Sequence, residues 1–339
     1  MSLALKLQPI IIIIAAASGI LLGHLGIPAA LTRRLVEFFL MTLMFLIFLA
    51  VDIRDIRRSF ANVRFSAAAL AINFIWTPIF AHLLGLAFLS GNLDLRTGFL
   101  MLMVTPCTDW YLIFTAMTGG NVPLGSSVLP MNLILQILLL PAYLWVFMGD
   151  SARFDPAAMI ESVALVLILP LFLANAAKRA VSGTAKREIF RDAVSRHSDN
   201  AQLLLLCLAI TAMFASQGRL LLGNGGLFLE MLPPLALFFA VNFVLALAVG
   251  KCMGMPFEDR VSLLFTTSAR NSPISLAIAA LTYPDHPLIS LALVIGPLIE
   301  LPILAVDSNV LGRLGRRNKS AGGKEAPPRQ SGADSASGP

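Results

Sequence analysis

The sequence predicts an all-α integral membrane protein of ten transmembrane helices, built as two inverted five-helix repeats, with the fourth and ninth helices broken and crossing at mid-membrane. Three observations predict it. Of 339 residues, 57% are hydrophobic and only 13% charged, with a mean hydropathy of +0.82, too apolar for a soluble domain of this length. The apolar runs reach about 20 residues, which a helix needs to cross a hydrocarbon core of roughly 30 Å, and they lack the strict in-out alternation of a barrel strand. The two halves of the chain also resemble each other in order.

Reading from polar break to polar break places the spans at 8–26, 34–52, 65–89, 96–118, 122–148, 158–176, 199–217, 230–251, 261–282 and 286–311. The first apolar run, Pro9 to Leu22 after Lys6, is short enough to resemble a secretory leader. It is read as the first span, because many full-length spans follow and the repeat needs it.

Charge sets the expected orientation. Basic residues gather in alternate connections: Lys6; Arg54, Arg57, Arg58 and Arg64; Lys178, Arg179, Lys186, Arg187, Arg191 and Arg196; and Lys251 and Arg260. The opposite side holds Arg33, Arg34, Arg96, Arg153 and Arg219. The positive-inside bias then puts both termini on the cytoplasmic side of the membrane. From Arg313 onward the chain is polar and rich in Gly, Ser and Lys, and reads as a disordered basic tail. The organisation is thus 1–150 for the first repeat, 151–312 for the second and 313–339 for the tail. Although the pI is about 9.6, the basic residues are scattered between spans, which argues against a nucleic-acid partner and for a lipid bilayer.

The repeat rests on ordered matches. Ala71-Ile72-Asn73-Phe74 corresponds to Ala240-Val241-Asn242-Phe243, and Met44-Phe45 to Met213-Phe214 at the same offset. At a second offset Thr118 pairs with Thr282, Pro123 with Pro287, Ser126 with Ser290 and Gln136 with Glu300. Five helices per half is an odd number, so the second copy enters the bilayer upside down, the plan of many secondary transporters. In that plan corresponding helices break near the midplane, and their freed backbone groups face a shared cavity instead of lipid.

The fourth and ninth spans carry suitable interruptions. Pro106 lies in Thr105-Pro106-Cys107-Thr108 and Pro273 follows Ala269-Arg270-Asn271-Ser272; each removes a backbone donor and disturbs the turn before it. Asp109, Arg270 and Glu300 fall inside spans, where a charge costs several kcal/mol, about 3 or more, unless paired or wetted. They are candidate functional residues, or else an ion pair of Arg270 with Asp109 or Glu300 that holds the halves together. Glu300 sits in another helix-disturbing context, Gly296-Pro297-Leu298-Ile299-Glu300-Leu301-Pro302. A carboxylate so placed can take and release a proton as a cavity changes sides, which is what proton coupling needs. Asn73, Asn242, Asn132 and Gln136 read equally as links between helices or as site lining.

Other function classes fit poorly. Cys107, Cys207 and Cys252 lie in apolar segments without disulfide or zinc spacing, and no cofactor is implied. The histidines, His24, His82, His197 and His286, lie near span ends or in a polar loop, poor positions for the base of an intramembrane hydrolase. Interrupted repeats around a buried acid-base set suit a carrier of small solutes more than a channel, and not an enzyme.

In these residues the chain resembles the bile acid/sodium symporter superfamily, and within it the arsenite efflux permeases of the arsenical-resistance type three branch. The resemblance covers nearly all of 8–311 in helix pattern. It is most specific at Thr105-Pro106-Cys107-Thr108, from Ala269-Arg270-Asn271-Ser272 through Leu276-Ala277-Ile278-Ala279, and at Gly296 to Pro302. It implies a panel and a core domain with crossed broken helices, and a functional pair of a fourth-helix cysteine and a tenth-helix glutamate, matching Cys107 and Glu300. The expected activity is efflux of arsenite, with antimonite as a second candidate cargo, by proton antiport with alternating access. Thr105, Cys107, Thr108, Asn271 and Ser272 would bind substrate, with Cys107 the arsenic ligand; Glu300 and Asp109 would couple protons, and Arg270 would gate or tune charge. Arsenite near neutral pH is an uncharged, thiophilic trihydroxide, so a single thiol with hydroxyl neighbours suits a carrier that must release what it binds. Where the sodium-coupled branch has Glu and, four residues later, Gln ahead of Asn-Ser, this chain has Thr266 and Arg270, which favours protons over sodium. The alternative is a sodium- or proton-coupled organic-anion symporter, with Arg270 meeting a carboxylate.

Overall fold

The computed structural model describes residues 8–25, 29–50, 62–107, 110–149, 169–181, 226–322 and, between 200 and 215, all but 202, 206 and 213. Among these residues there is no strand. The helices are α1 (Gln8–His24), α2 (Ala29–Ala50), α3 (Val63–Phe88), α4 (Leu93–Met103), α5 (Trp110–Thr118), α6 (Val122–Ser127), α7 (Leu129–Met148), α8 (Leu169–Ala180), α9 (Gly226–Cys252), α10 (Phe257–Ser268), α11 (Ser272–Thr282) and α12 (Pro287–Gly322). A further apolar helical stretch lies at Leu203–Ala212.

Four of these are long and apolar enough to cross a membrane: Val63–Phe88, Val122–Met148, Gly226–Cys252 and Pro287–Leu314. Their outward faces carry Ile75, Leu83, Leu138, Trp145 and Val244, all exposed, while Asn73, Asn132, Gln136, Asn242, Arg270 and Glu300 are buried. Apolar outside and polar inside is the arrangement lipid demands, because polar groups facing hydrocarbon have no water to bond. The chain is an all-α, multi-pass membrane protein.

The two sequence segments expected to be broken are interrupted. The span expected at 96–118 is α4 and α5, and that at 261–282 is α10 and α11, with only Ala269, Arg270 and Asn271 between the latter two. Pro273 does not kink a continuous helix. It occupies the first turn of α11, where its missing N–H costs nothing, behind Asn271 as N-cap. The last helix departs from expectation: α12 continues to Gly322, ten residues into the stretch expected to be a disordered tail. Low apolarity removed the reason to expect burial there, yet no proline follows Pro302 until Pro327, so nothing in the chain forces a stop at Arg313. Residues 323–339 lie outside those described.

Close backbone approaches set the packing around the breaks. A Cβ at Gly98 of α4 would lie 2.6 Å from the Ile289 carbonyl oxygen and 2.7 Å from Ala292 Cβ on α12. Gly296 of α12 faces the end of the Leu102 side chain of α4. At the other edge, Gly19 and Gly23 of α1 meet the carbonyls of Thr211 and Ala215, and Thr211 Oγ1 donates to the Ala15 carbonyl at 3.1 Å. Small residues four apart let membrane helices approach until backbone touches backbone.

Two prolines free carbonyls that other helices then bond. In α3 a π-helical turn over Ile72–Trp76 precedes Pro78; without an N–H on residue 78, the Phe74 carbonyl accepts from Tyr143 Oη of α7 at 2.7 Å. In α12, Pro297 cannot donate to Leu293, and the Leu293 carbonyl accepts from Ser272 Oγ.

Candidate functional site

The interruptions after α4 and α10 lie against each other. Pro106 and Arg270 face one another as a short antiparallel pair: the Cys107 N–H donates to the Ala269 carbonyl at 2.9 Å and the Asn271 N–H to the Thr105 carbonyl at 2.7 Å. Pro106 has no N–H to offer, whereas the Arg270 N–H, pointing away from the pair, donates to Glu300 Oε1 at 2.9 Å. Three elements thus converge here: the break after α4, the break after α10, and α12. Cys107, Arg270 and Glu300 are 1%, 1% and 2% exposed.

A helix that stops inside a protein leaves its last carbonyls without intrahelical donors, and at this junction each of these finds one. On α10, Phe265 accepts from the Ala269 N–H at 3.1 Å and Thr266 from Asn73 Nδ2 at 3.3 Å. Thr267 accepts from Asn242 Nδ2 at 3.0 Å and from Arg270 Nη2, and Ser268 from Arg270 Nε at 2.9 Å. On α4, Leu100 accepts from the Val104 N–H at 3.0 Å, Met101 from Thr105 Oγ1 at 3.0 Å and Ser275 Oγ at 2.9 Å, and Leu102 from Thr105 Oγ1 at 3.0 Å. Met103 accepts from Arg270 Nη1 at 2.8 Å.

The Arg270 side chain therefore bonds the C-terminal ends of both half-helices. Its Nη2 also donates to Asn73 Oδ1 at 3.3 Å, and its guanidinium stacks 5.1 Å from the centroid of Phe238. No carboxylate among the described residues forms a side-chain ion pair with it. Glu300 meets Arg270 through the backbone N–H, not through the guanidinium, so the sequence expectation of an Arg270–Glu300 side-chain pair gives way to guanidinium–carbonyl bonds. The reason is local: the side chain turns back over residues 267 and 268, where unbonded carbonyls are already gathered. Asp109, the other expected partner, and Thr108 lie outside the described residues.

The remaining expected site residues are all at the junction, and several spend their polar groups on it. Thr105 Oγ1 contacts Ser275 Oγ at 2.7 Å besides its carbonyls. Asn271 caps α11 by accepting from the Ile274 N–H at 3.3 Å, and Ser272 bonds the Leu293 carbonyl. Cys107 enters no disulfide. The four amides divide. Asn73 and Asn242, which lie in the matched sequence segments, link α3 and α9 to the end of α10, and Asn242 Oδ1 also accepts from Trp76 Nε1 at 3.1 Å. Asn132 and Gln136 of α7 are wholly buried, and neither amide has a hydrogen-bond partner among the described residues; the same is true of Thr266 Oγ1 and Ser268 Oγ.

Two groups were not singled out from the sequence. Asp307 of α12 is 9% exposed, with Oδ2 unpartnered; seven residues after Glu300, it lies two turns along on nearly the same face. That spacing was the available signal. His286 and Asp94 pair at 3.1 Å between the α11–α12 connection and the first turn of α4, a contact 192 residues apart in sequence that no local pattern announces.

A model of the Sodium Bile acid symporter family matches residues 37–224, more than half of the chain. The chain belongs to the sodium bile acid symporter family. The matched stretch includes the first break but stops short of the second. Among relatives, the Arsenical-resistance protein Acr3 of Corynebacterium glutamicum is 24% identical over 247 residues, covering 70% of this chain and 66% of that protein. The Arsenical-resistance protein Acr3 of Alkaliphilus metalliredigens is 21% identical over 212 residues, 62% of this chain and 59% of its own length. Uncharacterized protein YbaS of Bacillus subtilis is 24% identical over 266 residues, 78% of this chain and 84% of its own. The chain thus spans about two thirds or less of the two arsenical-resistance relatives. As a member of this family it is a secondary transporter of small solutes and not an enzyme.

Proposed function

We propose that the chain exports arsenite, with antimonite as a related cargo, by proton antiport and alternating access. It would do so as ten helices in two inverted repeats, in a bacterial plasma membrane with both termini cytoplasmic. The observation that carries this reading is the placement of Cys107 and Glu300 at one junction: the thiol-bearing residue lies in the break after α4, and the carboxylate reaches the break after α10 through the Arg270 N–H. A single thiol gives a soft centre one exchangeable ligand, and a carboxylate attached to the same hinge can link proton release to movement of that hinge. Of the other residues expected to bind substrate, Thr105 and Ser272 now serve the junction through their hydroxyls. Thr108 and Asp109 keep their proposed roles as neighbouring ligand and second proton carrier.

The organic-anion alternative has the family's description in its favour. A bidentate grip on a carboxylate needs two adjacent guanidinium N–H groups, and Arg270 commits four of its five to protein oxygens. That arrangement favours the uncharged cargo.

The test is expression in an arsenite-sensitive, efflux-deficient bacterium. Wild type is expected to confer resistance, and Cys107→Ser and Glu300→Gln, at equal membrane abundance, to lose it. Full resistance from Cys107→Ser would refute the cargo assignment, and uptake of a labelled carboxylate abolished in Arg270→Ala would favour the alternative.

A further inference from the structure

Among the described residues, the surroundings of the Arg270 guanidinium are those of a cation site: oxygens and an aromatic ring. Its guanidinium is fully enclosed and is met by four oxygens: the carbonyls of Met103, Thr267 and Ser268, and Asn73 Oδ1. Three of the four are backbone oxygens from the C-terminal ends of two separate helices, α4 and α10. Each such end carries about half an elementary negative charge from the aligned peptide dipoles, so two ends converging supply about one. Both ends therefore favour a positive charge between them, and the Glu300 carboxylate on the Arg270 N–H adds to that field. The open face of the cation lies on Phe238, itself stacked on Phe80 at 6.2 Å and, through it, on Trp76 at 5.1 Å.

We propose that Arg270 is a covalently tethered cation filling an oxygen-lined monovalent-cation site at the junction of the two half-helices, and that removing its side chain opens this site to a free cation, guanidinium best of all. The tether fixes the charge in place, so the junction takes no cation from solution there. Without a positive charge, two negative helix ends would face each other, and the Met103 and Ser268 carbonyls would lose their side-chain donor together, Thr267 keeping that of Asn242. The planar fork explains the residue type: Nε, Nη1 and Nη2 reach carbonyls on different helices at once, which a compact ammonium cannot do from one point. Arg270 is thus a positioning residue for the break that carries Cys107. The inference stands whatever the cargo is, and a failure of the arsenite assignment leaves it untouched.

The test uses the full-length Arg270→Ala protein in detergent, melted in millimolar guanidinium chloride, sodium chloride or choline chloride at equal ionic strength. Arg270→Ala is expected to melt several degrees below wild type. Guanidinium at concentrations far below denaturing is expected to restore more than half of that loss, sodium less, and choline none, while wild type responds to none of the three. A cavity left by an ordinary packing residue would not distinguish these ions. Melting equal to wild type, or equal responses to guanidinium and choline, overturns the proposal. Should Arg270→Ala not yield folded protein, Arg270→Lys and Arg270→Met decide: the lysine variant is expected to melt above the methionine variant. The reverse order also overturns the proposal, because burying an uncharged side chain would then serve as well as a cation.

Discussion

Ser272 and Pro297 provide a quantitative check on how the broken helix is held to α12. Pro297 has no N–H, so the Leu293 carbonyl one turn earlier takes its donor from Ser272 Oγ, in the first turn of α11. Leu293 is wholly enclosed and Ser272 is 4% exposed, so water cannot replace the lost donor. A shared hydrogen bond between membrane helices is worth on average about 0.6 kcal/mol, whereas a buried group left without any partner costs about 1–3 kcal/mol. Since the carbonyl loses its side-chain donor outright, Ser272→Ala is expected to cost about 1–2 kcal/mol. Pro297→Ala creates an N–H that can bond Leu293 within the helix. In that background the serine becomes redundant, and Ser272→Ala is expected to cost less by about 1 kcal/mol or more. The assay is reversible unfolding in detergent of wild type, both single variants and the double variant. Costs that add to within about 0.5 kcal/mol would show that serine and proline act independently and would refute the reasoning. The same cycle separates holding from binding: if Ser272 acts only on cargo, Ser272→Ala loses transport without losing stability.

Two other perturbations follow from the same geometry. Gly98→Ala should destabilise by about 1–3 kcal/mol, because its Cβ would sit 2.6 Å from a backbone oxygen of α12; Gly91→Ala, with nothing within 4 Å, serves as the control, and equal melting of the two variants would count against the close α4–α12 approach. Tyr143→Phe should cost about 1 kcal/mol or more by stranding the Phe74 carbonyl freed by Pro78, and Pro78→Ala should recover much of it; unfolding of the four proteins measures the coupling.

Much of this protein was legible from residue types alone. Apolar length announced a multi-pass helical membrane protein, and Pro106 and Pro273 marked both interruptions, Pro273 because a proline suits the first turn of a new helix behind an Asn N-cap. The breaks, Cys107, Arg270 and Glu300 do assemble at one place. The reading failed where composition was asked to report conformation: the polar stretch after Arg313 continues α12 to Gly322, since polarity removes a reason for burial but does not stop a helix. It also passed over Asp307, whose seven-residue spacing from Glu300 matters only once the helix is known to bury that face.

The deeper division concerns Arg270. The sequence by itself determined that a charge lies inside a span and must be neutralised, and it offered Asp109 and Glu300 as partners because only side chains differ along a sequence. Among the described residues the tertiary structure gives the charge to the carbonyls of Met103, Thr267 and Ser268 and not to the Glu300 side chain, which takes the backbone N–H instead. Every residue carries the same carbonyl, so no letter of the sequence marks which ones are left without donors. Only the meeting of two helix ends in space makes them a site.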